Sequence, residues 1–381
     1  MKNYRLIAKT FSGLEDVLTD EIRNLGGKNV VPGRRVVYYE GDQEILYKSN
    51  YFLRTALRIL KETESFSFKD VDQFYLKCKN VEWIKFFKSN QSFYISSTVV
   101  NSKDFRNSMF ASLKVKDAIA DYFREKTGQR PNVNTEDPDI SIHVHIQQNN
   151  CTLSLDSSGE SLHKRGYRIK QGEAPLSEVL AAGMILLSGW NGSTDFVDPM
   201  CGSGTLPIEA AMIAQNIPAG KFRKYYSFQN WDDYNPELFK TVTESASKKE
   251  FNNRIFASDI SGSNLLNAQT NARRALVFNK INFQAIDIKD LSLPVKNATI
   301  MINPPYGERL KISKIDELYG LIGERLKHAF PGNSAWILSA SSDSMKYIGL
   351  KPSKRFHLFN GSLECKFNNY QLFSGKLSNS D

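Results

Sequence analysis

Residues 302–309 read Ile-Asn-Pro-Pro-Tyr-Gly-Glu-Arg, and Asn303, Pro304, Pro305 and Tyr306 form the most chemically specific run in the 381-residue chain. Two consecutive prolines remove two amide donors and stiffen the loop. The Pro304 carbonyl is then expected to point outward beside the Asn303 side-chain oxygen. Two fixed acceptors can grip both hydrogens of an exocyclic amine and align its nitrogen with an electrophilic methyl group. That alignment matters because the amine lone pair is delocalised into its ring. Orientation and stabilisation of the charge building on nitrogen both lower such a barrier. Tyr306 offers a ring face on which a base that has left its helix can stack. The competing interpretation is a plain Asn-Pro turn, but its place at the end of a strand favours the chemical one.

A second run, Asp198-Pro199-Met200-Cys201-Gly202-Ser203-Gly204-Thr205, follows a short apolar strand and opens a helix. Glycines let backbone approach a ligand closely, and free amides at a helix start meet negative charge. Pro207 occupies the last glycine position of a dinucleotide fingerprint, and the lysine of a phosphate-binding loop is missing. Asp259 ends the run Ile255–Asp259, and Asp287 ends the run Phe283–Asp287. Either could be a helix cap by itself. Three acidic strand ends in one parallel sheet gather at one carboxyl edge. There they suit a ligand with a ribose, an adenine and an amino-acid-like end, which is S-adenosyl-L-methionine more than a nicotinamide dinucleotide.

The elements that must position these residues follow from periodicity. Phe196–Asp198, Ile255–Asp259, Phe283–Asp287, Thr299–Asn303 and Ala335–Leu338 read as short apolar strands separated by helices, which implies a parallel, doubly wound sheet. Arg355 to Phe373 reads as a hairpin, and Ser374–Asp381 as a frayed tail. Upstream, Tyr4–Ala8 and Arg35–Glu40 read as strands, with Leu14–Leu25 and Asp42–Ala56 as helices, an order that suits a small ferredoxin-like unit. Phe93–Val99 and Ser141–Ile146 read as further strands flanking a helix over Ser108–Lys126. That helix carries Lys114, Lys116 and Arg124 on parts of its polar face, an RNA contact or simply a solvated surface. The expected divisions are 1–56, 57–160 and 161–381.

Other residues are less specific. The connector Ser161–Lys170 holds Lys164, Arg165 and Arg168 with His163 and Tyr167, a mixture that can meet phosphates and stack a base. The alternative is a hinge whose charges pair with nearby carboxylates. His143 and His145 share one strand face with no evident third metal ligand, so a polar exposed face is expected and no metal. Glu209 can orient the glycine loop or suit the positive helix end.

Bulk properties narrow the class. Hydrophobic residues make up 41% and charged residues 24%, an ordinary globular balance. No apolar run approaches the ~18 residues of a membrane span, and no signal peptide is read at Met1–Thr10. Four scattered cysteines without a Cys-x-x-Cys pair fit reduced thiols in a cytoplasmic setting. A net charge of +9 favours polyanion partners modestly.

Asp198 to Ala211, Asn303 to Leu310 and the connector Leu162 to Arg168 resemble the bacterial large-subunit ribosomal RNA guanine-N2 methyltransferases. Lys116 to Asp139, with Arg130-Pro131 and Asp137-Pro138-Asp139, resembles the RNA-binding THUMP domain that precedes their catalytic domain. The resemblance covers essentially the whole chain. It implies an α/β fold: a Rossmann-like class I methyltransferase sheet with an N-terminal α+β module, ferredoxin-like plus THUMP. It implies that Asp198, Pro199, Cys201, Gly202, Ser203, Gly204 and Thr205 lie along the methionine part of S-adenosyl-L-methionine. Asp259 would take the ribose, Asp287 the adenine, and Asn303 and Pro304 the target amine. Lys114, Lys116, Arg124, Arg130, Lys164, Arg165 and Arg168 would face 23S rRNA. The interval from Asp198 to Asp259 exceeds the ~20 residues of a dinucleotide-type fold. The excess, around Gln215–Lys249, resembles an insertion seen in the family. Some relatives carry a second, fused methyltransferase; the resemblance implies only the amine-methylating half here.

Three rival expectations share these motifs: a THUMP-type tRNA guanine methyltransferase, an adenine-N6 nucleic-acid methyltransferase, and a non-catalytic RNA-binding assembly factor. Nothing resembles a target-recognition domain for duplex DNA. A pure binder has no need of two aligned acceptors at Asn303.

Overall fold

The computed structural model describes residues 3–168, 176–305, 312–341 and 343–373. Tyr306, Lys170 and the tail Ser374–Asp381 lie outside the described residues. The chain divides into two compact units that do not follow chain order: residues 1–9, 21–162 and 223–244 form one, and residues 10–20, 163–222 and 245–381 the other.

The first unit is built from β1 (Tyr4–Lys9), the end of α1 (Glu15–Asn24), β2 (Lys28–Gly33), β3 (Val36–Gly41), α2 (Gln43–Phe52), β4 (Arg58–Ser67), α3 (Val71–Lys79), β5 (Phe93–Val100), α4 (Ser108–Thr127), β6 (Ile140–Gln147) and β7 (Asn150–Asp156). All seven strands join one sheet in the order β2-β3-β1-β4-β7-β6-β5. The expected boundary between residues 56 and 57 therefore falls within a single sheet, because β4 pairs with β1 on one side and β7 on the other. Asp42 and Asp70 cap α2 and α3 by accepting amides three residues on. Residues 223–244, expected as part of an insertion in the catalytic half, belong to this unit. They hold Tyr226 stacked on Phe228 at 5.2 Å, and Phe228 lies 4.6 Å from Tyr47 of α2. The Phe228 amide donates to the Ser157 carbonyl at 3.1 Å.

The expectation of an exposed polar face at His143 and His145 is overturned. His143 is 8% exposed, and both histidines line a cavity over β6 and β7. Lys9 of β1 contacts His143 from that face, its Nζ 3.1 Å from Nε2, while His145 is half-buried beside it.

The second unit adds α5 (Glu178–Ser188), β8 (Phe196–Asp198), α6 (Thr205–Ala214), β9 (Ile255–Asp259), α8 (Gly262–Arg274), β10 (Ile281–Ala285), β11 (Thr299–Ile302), α9 (Ile312–Ala329), β12 (Ser334–Ser339), β13 (Lys354–Asn360) and β14 (Leu363–Gln371); α7 (Pro236–Glu244) lies in the first unit. Its sheet runs β10-β9-β8-β11-β12-β14-β13. The first five strands are parallel, and the last two form an antiparallel edge. Helix α5 is apolar and buried along its length, as expected for a helix with little solvent-facing surface. Leu14 fills the space left by the missing side chain of Gly183, where a Cβ would come within 2.6 Å.

Candidate active site

Strand order reverses between β8 and β11, since the chain steps outward through β9 and β10 on one side and through β12 on the other. Ligands bind outside the carboxyl ends of strands at such a switch point. Asp198 ends β8, Asp259 ends β9, and Asn303 follows β11, so three adjacent strands deliver these residues to one edge. Ile300, Ile302, Ile337, Ile322 and Leu326 share the core cluster that holds β11 in place beneath Asn303.

The glycine loop is fixed from several directions. The Asp198 carboxylate accepts the Met200 amide at 3.1 Å, closing a tight turn. The Cys201 amide donates to Ser258 of β9 at 2.8 Å, and the Gly202 amide donates to Asp259 Oδ2 at 2.9 Å. Asp259 Oδ1 accepts the Ser261 amide at 2.8 Å and the Asn264 side-chain amide at 3.3 Å. Gly202 and Gly204 adopt φ of +52° and +85°, the left-handed region that favours glycine. Their surroundings differ. A Cβ on Gly204 would lie 2.9 Å from Ala268 Cβ of α8, whereas a Cβ on Gly202 would meet nothing within 4 Å among the described residues. Gly204 thus lets α6 pack against α8, and Gly202 borders open space.

Charge at the site is governed by burial. Asp198 is 1% exposed, and desolvation pushes its carboxyl up to about 8 against the opposing Met200 hydrogen bond, with the nearby Asp259 adding to the rise. Burial also pushes the Cys201 thiol well up, so it is a packed side chain and no nucleophile. Asn303 Oδ1 is buried without a hydrogen-bond partner among the described residues. A buried acceptor without a partner costs roughly 1–3 kcal/mol. Pro304 is buried and Pro305 half-buried beside it.

Two expected RNA contacts are corrected. Arg168 is directed into the protein: its Nε donates to Glu178 at 2.8 Å, and its terminal nitrogens donate to Ser203 Oγ at 3.1 Å and Thr205 Oγ1 at 2.7 Å. Arg165, 2% exposed, lies 3.6 Å from the fully buried Glu209, which also accepts from the Tyr167 hydroxyl at 3.1 Å. These cations fasten the connector to the underside of the glycine loop and to α6, so a phosphate cannot reach them. Glu209 thus holds the connector through Arg165 and Tyr167. Lys164 is exposed. On α4, Lys116 pairs with Asp117 and Arg124 with Asp121, Lys114 sits 5.6 Å over the Phe110 ring, and Arg130 is exposed beyond the helix.

Asp287 also departs from expectation. Strand β10 stops at Ala285, and Asp287 stands two residues beyond it, half-buried, accepting the Lys289 amide of its own turn at 3.0 Å. It is still presented beyond the same sheet edge, but from a turn. Residues missed in the sequence are Asn264, which steadies Asp259, and Asn271, whose side chain donates to the Ser203 carbonyl at 3.1 Å. Both sit on α8 at helical spacing, Asn271 buried and Asn264 exposed, a weak signal. Among the described residues no group of three potential metal ligands comes together, and no helix is long and apolar enough to cross a membrane.

Three families of domain match this chain: an RlmL ferredoxin-like domain over residues 5–60, a THUMP domain over 68–156, and an RMKL-like methyltransferase domain over 165–369. Solved structures are similar along the full length. SMU.472, described as a candidate methyltransferase complexed with SAH, is 29% identical with a TM-score of 0.87, covering 99% of this chain and 100% of its own. A possible methylase from Clostridium difficile 630 is 30% identical with a TM-score of 0.89, covering 99% and 100%. A protein from Listeria monocytogenes str. 4b F2365, described as a predicted N6-adenine-specific DNA methylase, is 29% identical with a TM-score of 0.87, covering 98% and 97%. With the methyltransferase match spanning over half of its residues, behind a THUMP domain and an RlmL ferredoxin-like domain, this chain belongs to the RMKL-like methyltransferase family.

Proposed function

We propose that the protein methylates the exocyclic N2 amine of a guanine in 23S rRNA, with S-adenosylmethionine as donor and the target base flipped against the Asn303-Pro304-Pro305-Tyr306 loop. The observation that carries this reading is the open, buried acceptor Asn303 Oδ1 at the switch point, beside a glycine loop with free space at Gly202. The residues present suit the donor. Gly202 leaves room for it, and the buried Asp198 carboxyl is a ready partner for a cationic amino-acid end. Asp259 retains acceptor capacity for ribose hydroxyls beside its two backbone amides. Asp287, in the turn beyond β10, is the acceptor assigned to the adenine amino group.

When bound, S-adenosylmethionine supplies an electrophilic methyl on a sulfonium. Asn303 Oδ1 accepts one hydrogen of the target amine and the Pro304 carbonyl the other, which fixes the nitrogen in line with that methyl. In a transfer that formed the N–C bond and broke the S–CH3 bond to leave a neutral thioether, both oxygens would face the positive charge gathering on nitrogen until one amine proton passed to solvent. Ile300 and Ile302, buried in the core, keep the strand end still so that no reorganisation is needed. Tyr306 supplies the stacking face.

The RlmL ferredoxin-like and THUMP domains support RNA, and guanine N2 within 23S rRNA rests on the family resemblance. A second reading, adenine N6, is favoured by the description of the Listeria monocytogenes relative. Transfer of labelled methyl to separate pools of rRNA, tRNA and DNA, followed by nucleoside analysis, decides between them. Label as N2-methylguanosine in 23S rRNA is the expected result; label as N6-methyladenine, or confined to tRNA, refutes it.

A further inference from the structure

The first unit contains a cavity of about 70 Å³ on its sheet, where Ile7, Val36 and Leu60 form apolar walls around a polar cluster of Lys9, His143, His145, Thr152 and Ser154. Three strands supply its polar floor by period-two alternation: His143 and His145 project from one face of β6, opposite Ser154 and Thr152 of β7. Lys9 arrives from β1, and its ammonium rests 3.1 Å from His143 Nε2. That nitrogen must then accept, which leaves Nδ1 to donate to Ser96 Oγ at 3.0 Å. The imidazole lone pair is already used, so the cluster is poorly suited to a metal ion.

Burial pulls the Lys9 ammonium below its ordinary value, and Asp156 is the strongest opposing charge on it, without pairing with it directly. Glu62, also in the lining, pairs with Arg5 at 3.3 Å, and Asp156 pairs with Arg58. Arg35 adds positive potential nearby. Among the described residues no carboxylate pairs with Lys9. Burial and the Lys9 ammonium hold both histidines neutral, His143 down to about 3, so neither competes for an anion as a second cation. A half-buried ammonium that shares this cavity with the hydroxyls of Thr152, Ser154 and Tyr38 is a site for a phosphate oxygen.

We infer that this cavity binds a phosphate group of the RNA substrate, with Lys9 as its charged anchor and the β7 hydroxyls as donors. This rests on the reading of the chain as an RNA methyltransferase, and it places one specific backbone contact on the sheet of the first unit, apart from the basic face of α4. Such a contact positions the RNA and carries no base information.

The test has two arms on the full chain. Inorganic phosphate is titrated while the ring signals of the five histidines are followed by NMR. A fluorescein-labelled hairpin RNA is titrated by anisotropy over a range of salt. Both are run on the wild type, Lys9→Met and Lys9→Arg, with S-adenosylhomocysteine affinity as the control for folding. Phosphate should shift His143 and His145 in the wild type and not in Lys9→Met. Lys9→Met should weaken RNA binding about tenfold and lower the salt slope by about one, Lys9→Arg should restore most of both, and cofactor affinity should not change. Histidine signals unmoved by phosphate overturn the site. Phosphate binding with unchanged RNA affinity and slope makes it a free-anion pocket and overturns the RNA assignment. Loss of all RNA binding in the wild type would instead refute the RNA reading itself, while the phosphate arm still reports on the cavity.

Discussion

Gly202 and Gly204 differ by two positions, share the left-handed backbone, and should respond to alanine in opposite ways. The conformational cost is common to both, about 1–2 kcal/mol for a non-glycine residue in that region. At Gly204 the added methyl meets Ala268 Cβ at 2.9 Å and Ala268 Cα at 3.2 Å, contacts between two helices that cannot rotate away. Overpacking of that kind adds about 1–3 kcal/mol. At Gly202 nothing among the described residues opposes the methyl, so the variant bears the conformational cost alone while the methyl fills the space assigned to the cofactor. Thermal unfolding with and without S-adenosylhomocysteine separates these effects, because a ligand at a hundred times its Kd stabilises by about 2.7 kcal/mol. Gly202→Ala should melt only modestly below the wild type and lose most of its ligand-induced rise. Gly204→Ala should melt clearly lower still and keep a positive rise. Equal baseline losses, or a full rise in Gly202→Ala, would refute the division of labour between the two glycines.

Three further outcomes follow from the same loop. Asp259→Ala removes the acceptor for the Gly202 and Ser261 amides, so calorimetry should show cofactor affinity reduced by tenfold or more; an unchanged Kd contradicts the role. Asp198, with its carboxyl pushed up to about 8 and an ordinary unfolded value near 4, binds a proton in the folded state across that window. Its contribution to stability is therefore present below pH 4 and lost as pH rises through 8. A cationic ligand favours the ionised form, so cofactor affinity should rise with pH toward 8, and Asp198→Asn should flatten both profiles; a flat wild-type profile refutes this. Arg168→Gln should raise the KM for the cofactor about tenfold with a smaller change in kcat, and Arg168→Lys should recover only part, because one ammonium cannot reach Glu178, Ser203 and Thr205 together. Impaired RNA binding with normal cofactor KM would restore the discarded phosphate role.

The parallel sheet was legible because β8 and β9 are short apolar runs ending in an aspartate and β11 is one followed by Asn303, a pattern that suits buried parallel strands. Asp287 was misplaced because Ile286 and Ile288 continue the apolar character past the last ladder pair, Ala285 with Asp259. The connector misled for a different reason. Composition shows four cations but not their partners, and Glu178 and Glu209 lie on helices α5 and α6 further along the chain. For His143 and His145, alternation correctly put them on one face, yet that face lines a cavity shared with Lys9, more than 130 residues earlier. The placement of residues 223–244 with the first unit depends in the same way on Tyr47 and Ser157, contacts no local pattern encodes.

The central claim is that Asn303 holds a base amine for methyl transfer, and the most direct measurement compares wild type and Asn303→Ala for methyl transfer to 23S rRNA, with cofactor affinity measured alongside. Turnover should fall by at least a hundredfold, about 2.7 kcal/mol at the barrier, while the Kd for S-adenosylhomocysteine stays within about twofold. Full activity in Asn303→Ala, or a loss of activity matched by an equal loss of cofactor binding, would contradict the role given to that side chain.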